Sequence, residues 1–296
     1  MIEPAVEKLC DRWRTKSPET AIIWAIGAAF PQLNAVQPPI NLAELAKKRN
    51  VVSVKTRKLS VDGSISLLDD GGYVIELNEN LSLSRRRFTF AHELGHTFFL
   101  DLTNEVEKRL RIRVEDVNVE DSKHSSKEEF LCNLAAAEIL MPFDVFSGKA
   151  SSLGPFATSI LTLTRVFRTS LWSTSRRFVE ASRVRMIVAL WEYDGPSKAY
   201  RTRWVVRSSG IHEYDQLSIP DGAPLFKVFQ SHREFRGRKW VSLGGPLDDY
   251  FVDGVVLTRA RTDLVLTVFI LDAAAERLAA ESQDRPPDSG QLELEL

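Results

Sequence analysis

The stretch RRRFTFAHELGHTFFL, residues 85–100, places His92 and His96 four residues apart, with Glu93 directly after the first. No other feature constrains the chain as strongly. On a helix, residues four apart stack on one face, one turn from each other. Two imidazoles in this spacing can grip one metal ion from one side. Glu93 is rotated away from that pair, so it is placed to take a proton from a water that the metal activates. Zinc suits this chemistry, because it lowers the pKa of a water towards about 7 and makes hydroxide available at neutral pH. The local text supports a helix. Ser84 is the expected N-cap, and Phe88, Ala91, Gly95 and Phe98 recur at three- and four-residue intervals, as one buried face requires. Gly95, beside His96, suits the close approach of a neighbouring element.

A catalytic zinc needs a third protein ligand and one open position. The downstream candidates are Glu128, Glu129 and Glu138, with His124 as an outsider in polar text. EFLCNLAAAEILMP reads as a helix that stops at Pro142. On it Glu129 and Asn133 are four apart and share a face with Ala136. Glu129 would bind the metal while Asn133 fixes the outer nitrogen of a histidine. Glu128 points about a quarter turn away and Glu138 lies far down the helix, so Glu129 is the chosen ligand. Cys132, three residues after Glu129, has two readings. It is a small core residue, or a thiol switch whose thiolate closes the metal as a fourth ligand and is displaced or oxidised on activation.

These two stretches resemble the ImmA/IrrE family of zinc metallopeptidases. RRRFTFAHELGHTFF carries the histidine pair, and EFLCNLAAAEILMP is similar to that family's glutamate helix, E-x-x-A-N-x-x-A-A-x-L-L-M-P. The likeness extends upstream through PINLAELAKKRNVVSV and VIELNEN and covers about residues 38–145. Cys132 departs from the pattern, which usually has alanine there. The resemblance implies a zincin-like fold, with Zn2+ held by His92, His96 and Glu129. It also implies Glu93 as general base and acid, and Asn133 in the supporting position. The substrate it implies is a helix-turn-helix transcriptional repressor, whose cleavage releases genes for DNA-damage, mobile-element or phage-defence responses. In zinc peptidases of this shape an edge strand pairs with the substrate backbone, and YVIELN (73–78) is the strand expected to do so. An oxyanion-stabilising side chain is also expected; the residues do not single one out.

The organisation reads as α+β: a zincin-like metallopeptidase domain with helical N-terminal and linker segments, then a smaller α/β domain. Residues 1–36 have helical spacing, and the paired prolines of NAVQPPI form a linker. The peptidase domain spans 37–149. It opens with a short helix capped by Asn41, followed by strands in VVSVKTRKLS and SISLLDDGGYVIELN, the latter broken by a turn at Asp69–Gly72. TNEVEKRLRIRVEDVNVEDSKHSSK is a polar excursion. Residues 150–185 form a helical pair around Ser170. The pair reads either as a DNA-binding helix-turn-helix or as packing through Leu161, Val166, Phe167, Leu171 and Phe178. Residues 186–272 are β-rich and resemble the GAF-like sensor domain that some family members carry. The tail, 273–296, has no packing pattern and is expected to be disordered.

Formal net charge is -1, so the chain as a whole makes no electrostatic case for nucleic acid or membrane. Residues 151–272 are different, with 17 Lys and Arg against 12 Asp and Glu, a net of +5. YRTRWVVR and SHREFRGRKW interleave cations with aromatics, a combination that can hold single-stranded DNA or simply form a solvated face over core aromatics. His212 and His232 in this part read as surface residues. There is no apolar run of eighteen residues and no basic, apolar start, so neither a membrane span nor a secretory signal is expected. Two distant cysteines, Cys10 and Cys132, fit a reducing cytoplasm. The leading expectation is a cytoplasmic zinc endopeptidase regulated by its C-terminal domain. The rival is a DNA-binding transcriptional regulator with a structural or vestigial zinc site.

Overall fold

A computed structural model describes residues 4–103, 126–211, 217–242, 248–258 and 263–271. Residues 104–125 of the polar excursion, with His124, as well as His212 and the tail, lie outside the described residues. The chain divides into two compact units near residue 145, with 166–170 joining the first.

The first unit begins with helices α1 (Pro4–Arg12) and α2 (Pro18–Ala29), then a 3-10 turn (Pro31–Asn34) and α3 (Leu42–Lys48). Ser17 caps α2 by accepting from the Thr20 amide at 3.1 Å, with Pro18 in the first helical position, where its missing donor costs nothing. Asn41 sits at the N-cap of α3, but its amide donates to the Glu44 side chain at 3.0 Å rather than serving the backbone.

Strands β1 (Val51–Arg57), β2 (Gly63–Leu67) and β3 (Tyr73–Asn78) form one sheet in the order β1-β3-β2. β1 pairs parallel to β3 and β2 pairs antiparallel to it. This corrects the expectation for YVIELN: residues 73–78 are the central strand, bonded on both sides, and cannot accept a substrate strand. Tyr73, Val74, Ile75 and Leu77 are all buried, as expected of a strand covered on both faces. Among the described residues, the edges of this sheet belong to β1 and β2.

Helix α4 (Leu83–Leu100) follows. Its N-cap is Ser82, which accepts from the Arg85 amide at 3.3 Å; Ser84, the expected cap, lies inside the first turn. Two serines two residues apart offer the same signal, and the three-residue reach to an amide decides between them. At the other end Asp101 sits where the helix dipole disfavours an anion. Arg49 answers it at 2.6 Å, and the Tyr73 hydroxyl donates to it at 3.1 Å, tying the helix end to β3 and the end of α3. Helix α5 (Ser126–Leu140) packs along α4 and ends before Pro142.

The second unit holds most of α6 (Phe143–Leu153) and of α7 (Ala157–Phe167), all of α8 (Leu171–Ala181), and a six-stranded antiparallel sheet. Its strands are β4 (Met186–Asp194), β5 (Ala199–Arg207), β6 (Ser218–Pro220), β7 (Glu234–Val241), β8 (Asp248–Thr258) and β9 (Asp263–Ile270), in the order β6-β5-β4-β9-β8-β7. α8 packs on β4 and β5. Helix α9 (Pro224–Ser231) buries Leu225, Phe226 and Phe229; neither it nor β8 stands out among the β-like runs of the sequence. Trp191 is fully buried and donates to Thr267 at 2.7 Å. Asp253, also buried, accepts from the Ala157 amide at 2.6 Å and pairs with Arg236 at 2.7 Å. Burial raises the pKa of its carboxyl against the pull of Arg236. Leu161, Phe167, Leu171 and Phe178 are buried and Val166 is half-buried.

Candidate metal centre

The close approach of α4 and α5 sets the site. A Cβ on Gly95 would lie 3.3 Å from the Ala135 Cβ and 3.3 Å from the Cys132 Cα, so any side chain there would press α5 back by a few tenths of an ångström. The close approach brings Glu129, on the first turn of α5, opposite the two histidines of α4.

His92, His96 and Glu129 offer ligand atoms within 4.8 Å of one another. The two histidine Nε2 atoms are 3.2 Å apart. Glu129 Oε2 lies 3.1 Å from His92 Nε2, and Glu129 Oε1 lies 3.3 Å from His96 Nε2. Nitrogen and oxygen donors bound tetrahedrally at about 2.0–2.1 Å from one zinc ion stand about 3.3 Å apart. The donor set and its separations therefore fit zinc. Against its own burial, hydrogen bonds and charge from His92 and His96 hold the Glu129 carboxyl well below the usual range. Burial opposes charge on His96, but Cys132, Glu128 and Glu129 more than reverse this and raise its pKa.

The outer ring nitrogens are both occupied. His92 Nδ1 lies 3.0 Å from Asn133 Oδ1. His96 Nδ1 lies 3.4 Å from Glu128 Oε1. Glu128 was set aside on helical angle, yet it is 3% exposed and faces His96. The signal was its adjacency to Glu129: consecutive residues on one turn can reach opposite edges of a histidine pair that is itself a turn long.

Glu93 stays out of the ligand cluster. It is 7% exposed, and burial raises its pKa despite the nearby histidines. Strand β2 runs directly past it, since a Cβ on Gly63 would sit 3.1 Å from Glu93 Oε1 and 2.5 Å from Thr89 Cγ2. Cys132 is fully buried, and burial pushes its thiol up to about 12. It is therefore a protonated core thiol near neutral pH. Phe88, half-buried, stands with its ring 6.3 Å from that of His92. In the second unit, Arg201 pairs with Asp194 at 3.1 Å and Arg203 with Glu192 at 3.6 Å, so part of the YRTRWVVR cluster is neutralised by the neighbouring strand. No single helix among the described residues is long and apolar enough to cross a membrane.

Residues 46–178 match the family model described as the IrrE N-terminal-like domain, a peptidase family. The radiation response metalloprotease IrrE of Deinococcus radiodurans is 31% identical over 120 residues, 40% of this chain and 34% of that protein. Its counterpart in Deinococcus deserti is 30% identical over 122 residues, 38% of this chain and 40% of the relative. The matched part of the chain thus spans only about a third to two fifths of the length of these relatives. Among solved structures, a Mycobacterium tuberculosis transcriptional regulator aligns over 92% of this chain and 94% of its own, with a TM-score of 0.49 and 16% identity.

Proposed function

We propose that the chain, whose residues 46–178 match the IrrE N-terminal-like peptidase family model, is a zinc-dependent endopeptidase that cleaves a helix-turn-helix repressor. The observation that carries this reading is the triangle of donors from His92, His96 and Glu129 at 3.1–3.3 Å, with Glu93 held apart from it. When bound, zinc supplies the Lewis acidity that makes water nucleophilic near neutral pH and polarises the peptide carbonyl. The protein's own groups supply the rest. Glu93, its proton affinity raised by burial, takes the proton from the attacking water and passes it to the leaving amine. Asn133 fixes His92 in the tautomer whose Nε2 lone pair faces the site.

The substrate backbone is read as adding to the edge of β2, beside Glu93. Its role passes to β2 because β3 is already bonded on both sides. Three donors among the described residues favour a working site over a structural one, which would fill all four positions. Residues 186–272 are assigned to signal reception as a GAF-like sensor, and the setting to the cytoplasm. Incubation of purified protein with helix-turn-helix repressors, with and without chelator and single-stranded DNA, tests the reading. Cleavage should require metal and should be abolished in Glu93→Gln while zinc remains bound. Zinc-bound protein that cuts no repressor in any of these arms, at any Glu93, would leave the regulator reading standing.

A further inference from the structure

We infer that Glu128 is a positioning residue for His96, holding its outer nitrogen with a carboxylate while Asn133 holds that of His92 with a neutral amide. This rests on the metal-site reading given above. The observation is geometric. Glu128 Oε1 lies 3.4 Å from His96 Nδ1, with side chains 4% and 5% exposed. A carboxylate oxygen accepts a hydrogen bond from a ring N–H at this position, and His96 offers an N–H on that side only if its proton sits on Nδ1. Glu128 therefore selects the tautomer in which Nε2 points at Glu129 and at His92.

The two supports are not equivalent. An amide oxygen orients an imidazole, whereas a buried carboxylate also raises its basicity, so the donor strength of His96 exceeds that of His92. It also adds a negative charge near a dication in a poorly screened place. Glu128 adjoins Glu129 in sequence, so one turn of α5 provides both a ligand and the anchor of a different ligand. The position is reachable because α5 approaches α4 at Gly95, one residue before His96.

The test is the dissociation constant for Zn2+, measured on the full chain by competition with a chromophoric chelator, together with thermal unfolding of the metal-free protein. Glu128→Gln keeps the shape and an oxygen acceptor and removes the charge. Zinc binding is expected to weaken about 10- to 100-fold, with the metal-free melting temperature unchanged or higher because a buried charge is gone. Glu128→Asp, which keeps the charge on a shorter stem, is expected to retain more affinity than Glu128→Gln. The visible spectrum of the Co2+ form should change in Glu128→Gln, a response that a residue acting through packing alone would not produce. Zinc affinity within twofold of wild type in Glu128→Gln overturns the inference while leaving the metal site intact. Failure of the wild-type chain itself to bind zinc overturns both.

Discussion

Gly95→Ala is a sharp perturbation because its two consequences have different sizes. The added Cβ would lie 3.3 Å from the Cys132 Cα and from the Ala135 Cβ, against about 3.5–4.0 Å for an unstrained carbon contact. Neither neighbour is the tip of a flexible side chain, so α5 must retreat by a few tenths of an ångström. Overpacking of this kind costs about 1–3 kcal/mol, and replacing a helical glycine by alanine returns about 1 kcal/mol. The net loss is therefore about 0–2 kcal/mol, and the protein should still fold. The metal site is less tolerant, because ligand distances must hold to about 0.2 Å and Glu129 rides on the displaced helix. We expect zinc affinity to fall about tenfold or more, equivalent to about 1.4 kcal/mol, a loss read on the metal site rather than on the fold. The measurements are metal-free thermal unfolding and zinc competition on the same preparations. Gly95→Ala protein that is clearly destabilised yet binds zinc within twofold of wild type would refute the reasoning. It would mean that the helices can part without moving the ligand.

Three further outcomes are expected. Gly63→Ala should lower peptide cleavage at least tenfold with zinc still bound, since its methyl would push on Thr89 and Glu93; unchanged kcat/KM would remove β2 from the site. The raised pKa of Glu93 means that the folded, metal-free protein binds a proton more tightly there than the unfolded chain does. Its contribution to stability therefore declines as pH rises through the unfolded carboxyl value towards the folded one. Metal-free Glu93→Gln should accordingly melt higher than wild type at pH 7, with the gap closing as pH falls to about 4; a constant gap across that range contradicts the burial argument. In native protein near pH 8 a thiol reagent should titrate Cys10 and spare Cys132 until denaturant is added, because Cys10 is partly exposed and Cys132 is buried with its thiol pushed up to about 12. Equal reactivity of the two thiols would show that α4 and α5 open readily.

The clustering of His92, His96 and Glu129 was legible because its parts follow local periodicity: two histidines one turn apart and a glutamate four residues before an asparagine. Helix angle alone could not place Glu128, because its role depends on which way a neighbouring helix crosses. Nor could alternation in YVIELN distinguish an edge from a centre. The run Tyr73-Val74-Ile75 carried the better signal, three consecutive apolar residues that a one-faced strand would not need. The N-cap of α4 was misplaced by two residues because Ser82 and Ser84 are chemically the same. In the second unit, α9 was hidden by its brevity, with an apolar face of only Leu225, Phe226 and Phe229. The charge of YRTRWVVR was read without its partners, which lie across a strand pairing that no linear scan contains: Asp194 for Arg201 and Glu192 for Arg203.

Two histidines on one helix define only two corners of a metal site. The third must arrive from another element to within about 3.3 Å of both, closer than ordinary side chains allow between helix backbones. The small residues around this contact can be understood from that requirement. Gly95 removes the side chain on α4, and Cys132, Ala135 and Ala136 keep the facing stretch of α5 low, all of them buried. Cys132 in a place where the family pattern has alanine is then a matter of volume, since a protonated thiol is a small apolar group. The same low profile lets the first turn of α5 bring Glu129 inward to the imidazoles and Glu128 to the far side of His96. Close approach, ligand and ligand support are consequences of one packing decision. A larger residue at 95, 132 or 135 should therefore disturb zinc binding before it disturbs the fold.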